Sequence, residues 1–286
     1  MSSRSSIALA APAALWLAVA WAWPLLLVFA ISVRDVDPNT FEVGGWTLDH
    51  FRNALSDPFY LDALLRSFRI AALVTILAII LGYPVALHIS RTKSRQARAA
   101  FTLVLLIPIM ISLVVTAFAW ILILGPTGLA NKFIQLIGLS NGPIQLLNSE
   151  AGVVAVLVYS FGPYLVLNLC TSIDKIDPAV LRAAEVHGAS RFQQFYRIVL
   201  PLSVPGMLSG GLIVFSLAAA AFVTPYVIGG SRVKVLPLLI YNAAVTTFDW
   251  PLAATLSIFL FVICMVMTAF FARIVERRFA AWLRGA

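Results

Sequence analysis

The sequence predicts an all-α integral membrane protein with six transmembrane helices and a helix-turn-helix loop between the fourth and fifth. Composition is the first observation behind this prediction. Of the 286 residues, 61% are hydrophobic and 11% are charged, and the mean hydropathy is +0.97. Soluble domains are about 45–50% apolar and about 25% charged. Composition therefore excludes an ordinary cytosolic enzyme, a disordered regulator and a small secreted scaffold.

The second observation is the spacing of long apolar runs. A helix needs about 20 apolar residues to cross a bilayer core, and six runs reach that length. Their continuous hydrophobicity indicates helices, because the strands of a membrane barrel would be short and alternating. The runs cover residues 7–32, 67–90, 101–124, 151–173, 202–229 and 251–274.

The first of these runs is expected to be a retained helix. It is too long for the core of a signal peptide, and no small-residue cleavage site follows it. We found no internal repeat and no second soluble domain, so residues 1–286 are expected to form one transmembrane domain. The only two cysteines, Cys170 and Cys264, lie far apart in apolar sequence, which disfavours a disulfide framework.

The distribution of Lys and Arg predicts that both termini are cytoplasmic. With the N-terminus inside, the cytoplasmic segments hold 13 of the 20 Lys and Arg residues and the outer segments hold 7. Positive charge is enriched in cytoplasmic loops. The net charge of +8 is therefore read as a sign of topology, and no binding to nucleic acid is expected.

The cytoplasmic loop 174–201 carries the clearest local signals. Asp177 before Pro178 predicts a helix start, and Gly188 predicts a left-handed residue that ends this helix. Ser190 with Gln193 predicts a capping box that begins a second helix. In the second helix, the spacing i, i+3, i+4, i+7 predicts one shared apolar face, formed by Phe192, Phe195, Tyr196 and Val199. This helix is expected to end at Pro201 and Pro205.

Two interpretations of this loop are open from its local pattern alone. It can be a connector whose aromatic face packs under the helix bundle. It can also be a docking surface for a partner, because its small side chains let another protein approach closely. These small residues are Ala183, Ala184, Gly188 and Ala189.

The segment 183–189, followed by Phe192, Phe195 and Leu200-Pro201, resembles the EAA loop of ABC-importer permeases. Both alanines, the glycine and the Leu-Pro pair match that pattern, and the loop stands between the fourth and fifth spans. Arg182 stands where the pattern usually has Glu. By resemblance, the residues that dock onto an ATPase are Ala183, Ala184, Glu185, Gly188, Ala189, Phe192, Phe195, Leu200 and Pro201.

The resemblance extends over most of the chain and is closest to the first permease of spermidine/putrescine-like systems. It includes the outer segment 46–60, the segment 224–230 and the segment 249–253. It implies a type I importer of the bacterial inner membrane with two ATP-binding subunits, a second permease and a soluble solute-binding protein. Related permeases carry iron, phosphonates, thiamine or opines. The solute, and whether the second permease is a different chain, stay open, with a polyamine-like solute and a different chain favoured.

The chain is expected to be a transport subunit without catalytic residues of its own. No Gly-Lys pair occurs, so the chain lacks the phosphate loop of an ATPase. ATP and Mg²⁺ are expected on the partner subunits, and no cofactor is expected in this chain. His50, His88 and His187 have no i, i+4 partner, which disfavours a zinc site.

Polar residues in or beside the spans are candidates for the translocation path. For each, an interhelical hydrogen bond is the competing interpretation. The candidates are Tyr159, Ser160, Asn168, Thr224, Tyr226 and Asp249. Because the span interiors hold almost no carboxylates, selectivity is expected to lie mainly in the solute-binding protein.

Two other classes of protein were weighed. A secondary transporter driven by an ion gradient would have intramembrane carboxylates or broken helices in paired halves. A membrane-embedded enzyme would have clustered His, Asp or Glu at one depth. Neither pattern is evident in the sequence, so the importer permease is the leading hypothesis.

Overall fold

The computed structural model describes residues 3–36 and 43–284, and helices dominate them. Two short strands, β1 (Arg34–Val36) and β2 (Val43–Trp46), form an antiparallel pair. The helices are α1 (Ser3–Ser32), α2 (Asp49–Ser56), α3 (Pro58–Arg91), α4 (Arg95–Met110), α5 (Leu113–Leu124), α6 (Leu129–Leu136), α7 (Glu150–Asp174), α8 (Pro178–Val186), α9 (Arg191–Gln194), α10 (Leu200–Ala219), α11 (Leu236–Tyr241) and α12 (Trp250–Arg284). Wide π-helical turns cover Phe195–Val199, Pro225–Gly229 and Asn242–Thr246, and a 3₁₀ turn covers Gly230–Arg232.

Six helical segments in the described chain are long and apolar enough to cross a membrane, which confirms the predicted number of spans. They are Leu15–Ser32, Pro58–Arg91, Leu113–Leu136, Glu150–Asp174, Arg191–Ala219 and Trp250–Phe271. Four predicted spans lie inside single helices: 7–32 in α1, 67–90 in α3, 151–173 in α7 and 251–274 in α12.

The predictions for the third and fifth spans were wrong in detail. The run 101–124 is divided between α4 and α5, because Ile111 and Ser112 adopt extended backbone after Pro108. The run 202–229 is helical only to Ala219 before the helix is interrupted. The break covers residues 220–222, and the π-helical turn that follows begins at Pro225, which has no N–H to donate to the carbonyl of Ala221.

The structure divides into two compact units. The first contains the chain up to Asp62 and Leu239–Val262. Within it, the Arg34 guanidinium lies 5.0 Å from the centre of the Trp46 ring, and Phe51 packs edge-on against Phe259. This unit therefore contains α1, the strand pair and α2, together with parts of α3, α11 and α12.

The second unit contains Ala63–Leu238 and the chain from Ile263 onward. Its centre is α7, the most buried of the candidate spans, which packs against α10, α4 and α5. Leu157, Leu165 and Leu169 on α7 are fully buried. Burying a leucine side chain contributes about 1.5–3 kcal/mol, so α7 is the main source of packing energy in this unit.

Glycines let the neighbouring helices approach α7 closely. A side chain at Gly210 would lie 3.0 Å from the Cα of Leu165, and one at Gly206 would collide with Ser172. Gly206 and Gly210 therefore permit the close packing of α10 on α7. Gly82 of α3 is similarly close to Leu165 and Val166.

Candidate functional site

The 174–201 loop begins with the helix that its sequence predicts. The N–H of Ala179 donates to Oδ1 of Asp177 at 2.7 Å, with Pro178 at the first helical position. The helix α8 ends at Val186, His187 is its C-cap, and Gly188 follows with φ = +79°. A left-handed residue at this point lets the chain turn sharply after the helix.

The second half of the loop starts with the predicted capping box. The N–H of Gln193 donates to Ser190 Oγ at 3.2 Å, and the N–H of Ser190 donates to Gln193 Oε1 at 2.8 Å. Each side chain thereby satisfies a backbone group that the helix start leaves without a partner. The helix-turn-helix between the fourth and fifth spans is thus present in the structure.

The second helix does not close at the prolines, which corrects the prediction. Arg191–Ala219 forms one helical run of 29 residues, which spans about 43 Å at 1.5 Å per residue. A π-helical turn, in which the N–H of Leu200 donates to the carbonyl of Phe195, precedes Pro201. Proline is tolerated near a helix start because its missing N–H is not needed there. The second helix of the loop is therefore a direct extension of the fifth span.

The π-helical turn also divides the predicted aromatic face. Phe195 packs edge-on against Tyr83 with 5.6 Å between ring centres, and Val199 is buried. Phe192 and Tyr196 contact each other on the outside, where Phe192 is 71% exposed. The predicted face thus has a buried part, Phe195 and Val199, and an exposed part, Phe192 and Tyr196, and the two parts stay in contact through the rings of Phe195 and Tyr196, whose centres are 5.6 Å apart.

The predicted docking residues fall into two groups. Four are exposed: Ala183, Glu185, Gly188 and Phe192. Five are half-buried: Ala184, Ala189, Phe195, Leu200 and Pro201. Val186, which the sequence analysis did not single out, is the most exposed apolar side chain of the loop at 84%. The docking role of all nine stays a prediction.

The predicted path residues are not brought into one cluster. Ser160 is buried and donates to Val156 O within α7, and Asn168 donates to Tyr164 O in the same helix. Thr224 is buried, whereas Tyr159 and Tyr226 are exposed. Tyr159 packs edge-on against Trp120 at 5.4 Å. The bonds of Ser160 and Asn168 run within α7, so neither is the interhelical hydrogen bond of the competing interpretation, and the path role of both residues stays a prediction.

Asp249 lies in a polar pocket of the first unit. The pocket has a volume of about 460 Å³ and is lined by His50, Asn53, Ala54, Ser56, Asp57, Tyr60, Asp249 and Leu252. Asp249 Oδ1 accepts the N–H of Leu252 at 3.0 Å, and Asp57 Oδ1 accepts the N–H of Phe59 at 2.9 Å. Each carboxylate thus accepts a hydrogen bond at the start of a helix. Each also adds a negative charge to the lining of the pocket.

Sequence reasoning missed the ion pairs at the two ends of α7. At one end, Arg69 Nη2 lies 2.6 Å from Glu150 Oε1, and Arg66 Nε lies 3.6 Å from the same oxygen. At the other end, Arg98 pairs with Asp174. Arg69 and its charged partner Glu150 are 81 positions apart in the sequence. No pattern in a single sequence reveals such a pair.

Comparisons with known proteins agree with this architecture. Residues 75–280 match the family described as "Binding-protein-dependent transport system inner membrane component". The chain is 30% identical over 252 residues to the spermidine/putrescine transport system permease protein PotB of Escherichia coli (strain K12), covering 88% of this chain and 91% of that protein. It is 28% identical to the inner membrane ABC transporter permease protein YdcU of the same organism, covering 91% and 86%.

A solved structure shares the fold. A chain in the crystal structure of a bacterial ABC transporter involved in the import of the acidic polysaccharide alginate superposes with a TM-score of 0.76. The identity is 20%, and the match covers 94% of each chain. The family match and the identity to PotB together settle the class of this protein. It is a multi-pass inner-membrane permease of ABC importers, a transport component, and it belongs to the family of binding-protein-dependent transport system inner membrane components.

Proposed function

We propose that this chain forms one half of the membrane path of an importer for a small, polyamine-like solute. A second, different permease would complete the path, a soluble solute-binding protein would deliver the solute, and two ATP-binding subunits would supply the energy. The observation that carries the proposal is the exposed helix-turn-helix in the 174–201 loop. Because the sequence lacks a phosphate loop, ATP and Mg²⁺ would be held by the partner subunits.

Orientation follows from the same loop. If the ATP-binding subunits contact it, the loop lies in the cytoplasm, together with both chain termini. The excess of Lys and Arg in these segments supports that orientation. The Glu150 end of α7 then faces outward, and the Asp174 end faces the ATPases.

The exposed side chains of the loop fit a protein partner. Val186 and Phe192 are apolar and largely exposed, and exposed apolar surface in a water-facing segment indicates an interaction site. Ala183, Glu185 and Gly188 are also exposed. Ala183 and Gly188 are small enough to let a partner approach closely. We expect these residues to form the centre of the contact, with Phe195 and Leu200 supporting them from below.

The loop is built to pass movement to the membrane helices. α9 runs without interruption into α10, and Phe195 and Ser203 on this run contact Tyr83 of α3. A displacement of the loop on ATP-driven closure would therefore move the fifth span and pull on the second. Rigid-body movement of packed helices is the usual way such a signal spreads.

A cationic solute is supported by two observations. The relatives named above include permeases named for spermidine and putrescine transport. The pocket with Asp57 and Asp249 carries two negative charges beside polar side chains. Glu150 contributes less, since Arg66 and Arg69 surround it. The path residues proposed within the spans remain Tyr159, Ser160, Asn168, Thr224 and Tyr226, with Asp249 at the outer mouth.

The test is to purify the tagged chain from its native membrane in mild detergent and to identify what is bound to it. An ATP-binding subunit and a second permease are expected. Phe192→Asp should remove the ATP-binding subunit, whereas Leu139→Asp, at a comparably exposed apolar residue outside the membrane-crossing segments, should not. A chain that purifies alone and moves solute in liposomes without ATP would contradict the proposal and favour an ion-driven transporter.

The solute is tested separately with the complete transporter in proteoliposomes. ATP-dependent uptake of labelled putrescine or spermidine is expected when the solute-binding protein is present. If the complex assembles and hydrolyses ATP but takes up neither amine, the assembly is right and the solute is wrong.

A further inference from the structure

The apolar run 101–124, which the sequence predicts as the third span, is interrupted between α4 and α5. Met110 ends α4 and Leu113 begins α5, while Ile111 and Ser112 between them have ψ of 137° and 136°, values of extended backbone. Side chains 110–115 are all exposed in the chain, and Met110 is 84% exposed. The interruption therefore lies on the surface of this subunit.

The interruption lies near the middle of the membrane. α4 begins beside the Asp174 end of α7, where Arg98 pairs with Asp174. Further along α4, Pro108 lines a small apolar cavity together with Tyr159 and Gly162, and Gly162 is the middle residue of α7. Ile111 follows Pro108 by three residues, so the break stands about 5 Å beyond the centre of α7.

A helix break at that depth leaves polar backbone groups without helical partners. The last carbonyls of α4 and the first N–H groups of α5 cannot bond within their own helices. The N–H of Ile111 still bonds to Ile107 O, and the N–H of Thr116 bonds to Ser112 O. The Ser112 side chain does not cap α5. Pro108 removes a further bond, because it has no N–H to give to Val104 O.

Lipid cannot satisfy these groups. Irregular backbone at membrane depth is tolerated where it is covered by protein or lines a water-filled cavity. The exposed side of the break is therefore unsuited to face hydrocarbon. In contrast, the exposed side chain of Leu122 farther along α5 suits lipid well.

We propose that the break at Ile111–Ser112 lines the solute path of the assembled transporter and that the carbonyls at the end of α4 bind ammonium groups of the solute. This inference rests on the proposed function. The C-terminal end of a helix carries partial negative charge, and unwound carbonyls coordinate cations in other membrane transporters. Backbone oxygens at this position would let a cationic solute cross a path that holds almost no carboxylates.

Few side chains near the break can bind the solute together with the carbonyls at the end of α4. Tyr159 lies near this level of α7 and is partly exposed, so its hydroxyl can accept or donate a hydrogen bond beside the break. The side chains of Met110, Ile111 and Leu113 give no charge to hold the solute. Weak, multi-site binding of this kind allows the solute to leave as readily as it enters.

The experiment is cysteine accessibility in the complete transporter. Cys170 and Cys264 are first replaced by Ala, and ATP-dependent uptake is confirmed in that background. Ser112→Cys is then treated with a cationic and an anionic methanethiosulfonate, both water-soluble, with and without ATP plus vanadate. Leu122→Cys on the same helix is the matched lipid-facing control.

We expect Ser112→Cys to react with the cationic reagent at least tenfold faster than Leu122→Cys in one of the two nucleotide states. After each rate is divided by the rate of the same reagent with a free thiol in solution, we also expect the cationic reagent to react several-fold faster than the anionic one, and putrescine to slow the reaction. Failure to react in both states, or equal rates with the two reagents, would overturn the inference. Absence of ATP-dependent amine uptake by the unchanged transporter would instead count against the proposed function.

Discussion

The hydroxyl of Tyr83 lies 2.6 Å from Ser203 Oγ and joins the second span to the first turn of α10. Both side chains are buried. The ring of Tyr83 also packs against Phe195 in the π-helical turn. One residue of α3 therefore contacts the 174–201 loop and the span that continues from it.

Tyr83→Phe is expected to lower the free energy of unfolding by about 1 kcal/mol, the net contribution of a typical hydrogen bond. Ser203 still donates to Leu200 O, so no buried group is left entirely without a partner. The measurement is the thermal unfolding of the purified complex. Tyr196→Phe, at an exposed ring, serves as the control and should have no effect. Equal loss in both variants would show that the bond to Ser203 is not what stabilises the helices.

Gly188→Val is expected to uncouple ATP hydrolysis from uptake. The residue has φ = +79°, and a side chain would meet no atom within 4 Å, so the substitution strains the backbone without a collision. The measurement is the ratio of solute transported to ATP hydrolysed, which should fall several-fold.

Gly138→Val is the matched control for that prediction. Gly138 has φ = +76° and equally open surroundings, but it lies outside the 174–201 loop. The same strain there should leave the transport ratio unchanged. Gly188→Asn should retain part of the activity, because asparagine tolerates the left-handed conformation. If Gly188→Val transports normally, the turn has no part in coupling.

Arg98→Glu is expected to reduce uptake, because it places a second negative charge beside Asp174. The pair is partly exposed, so its loss should change the free energy of unfolding by at most about 1 kcal/mol. The larger effect is expected on the position of α4 relative to the start of the 174–201 loop. The double variant Arg98→Glu with Asp174→Arg restores the opposite charges and should recover uptake. Failure of the double variant, with both singles folded, would refute a role for the pair itself.

Asp249→Asn is expected to raise the KM for a cationic solute several-fold without unfolding the protein. Asparagine keeps an oxygen that can accept the N–H of Leu252, so the helix start survives and only the charge is lost. The measurement is initial uptake of putrescine at low and high salt. Screening weakens attraction between exposed charges, so the difference from the unchanged protein should shrink at high salt. An unchanged KM at low salt would remove Asp249 from solute binding.

Local signals in the sequence were sufficient for the 174–201 loop. Asp177, Ser190 and Gln193 act on backbone groups two or three positions away, so their contacts can be predicted from spacing alone. Pro201 was misread because a proline ends a helix in one backbone setting and fits the first turn in another. Only the π-helical turn before it decides between them.

Relationships between distant segments were not predictable in this way. Arg69 and Glu150 meet because α3 and α7 pack together, and a single sequence carries no record of that proximity. The break after Met110 was also missed, since hydropathy measures side chains and cannot report a change of backbone conformation inside an apolar run. The proposed path residues on α7 remain predictions because burial alone does not separate a path from a packed interface.

The π-helical turn at Phe195–Val199 has a consequence for how homologous loops can diverge. It accommodates one residue more than a regular helix would hold, and each residue of an α-helix advances the chain by about 100° around the axis. A single deletion within the turn would leave a regular helix that lacks only the backbone bonds that Pro201 and Pro205 cannot donate. The exposed Phe192 would then be rotated by about 100° relative to the membrane-spanning part of α10. A permease that lost this residue would thus keep its fold, but Phe192 would point in a different direction around the helix axis. The surface of the ATPase that contacts the loop would then have to change together with the permease.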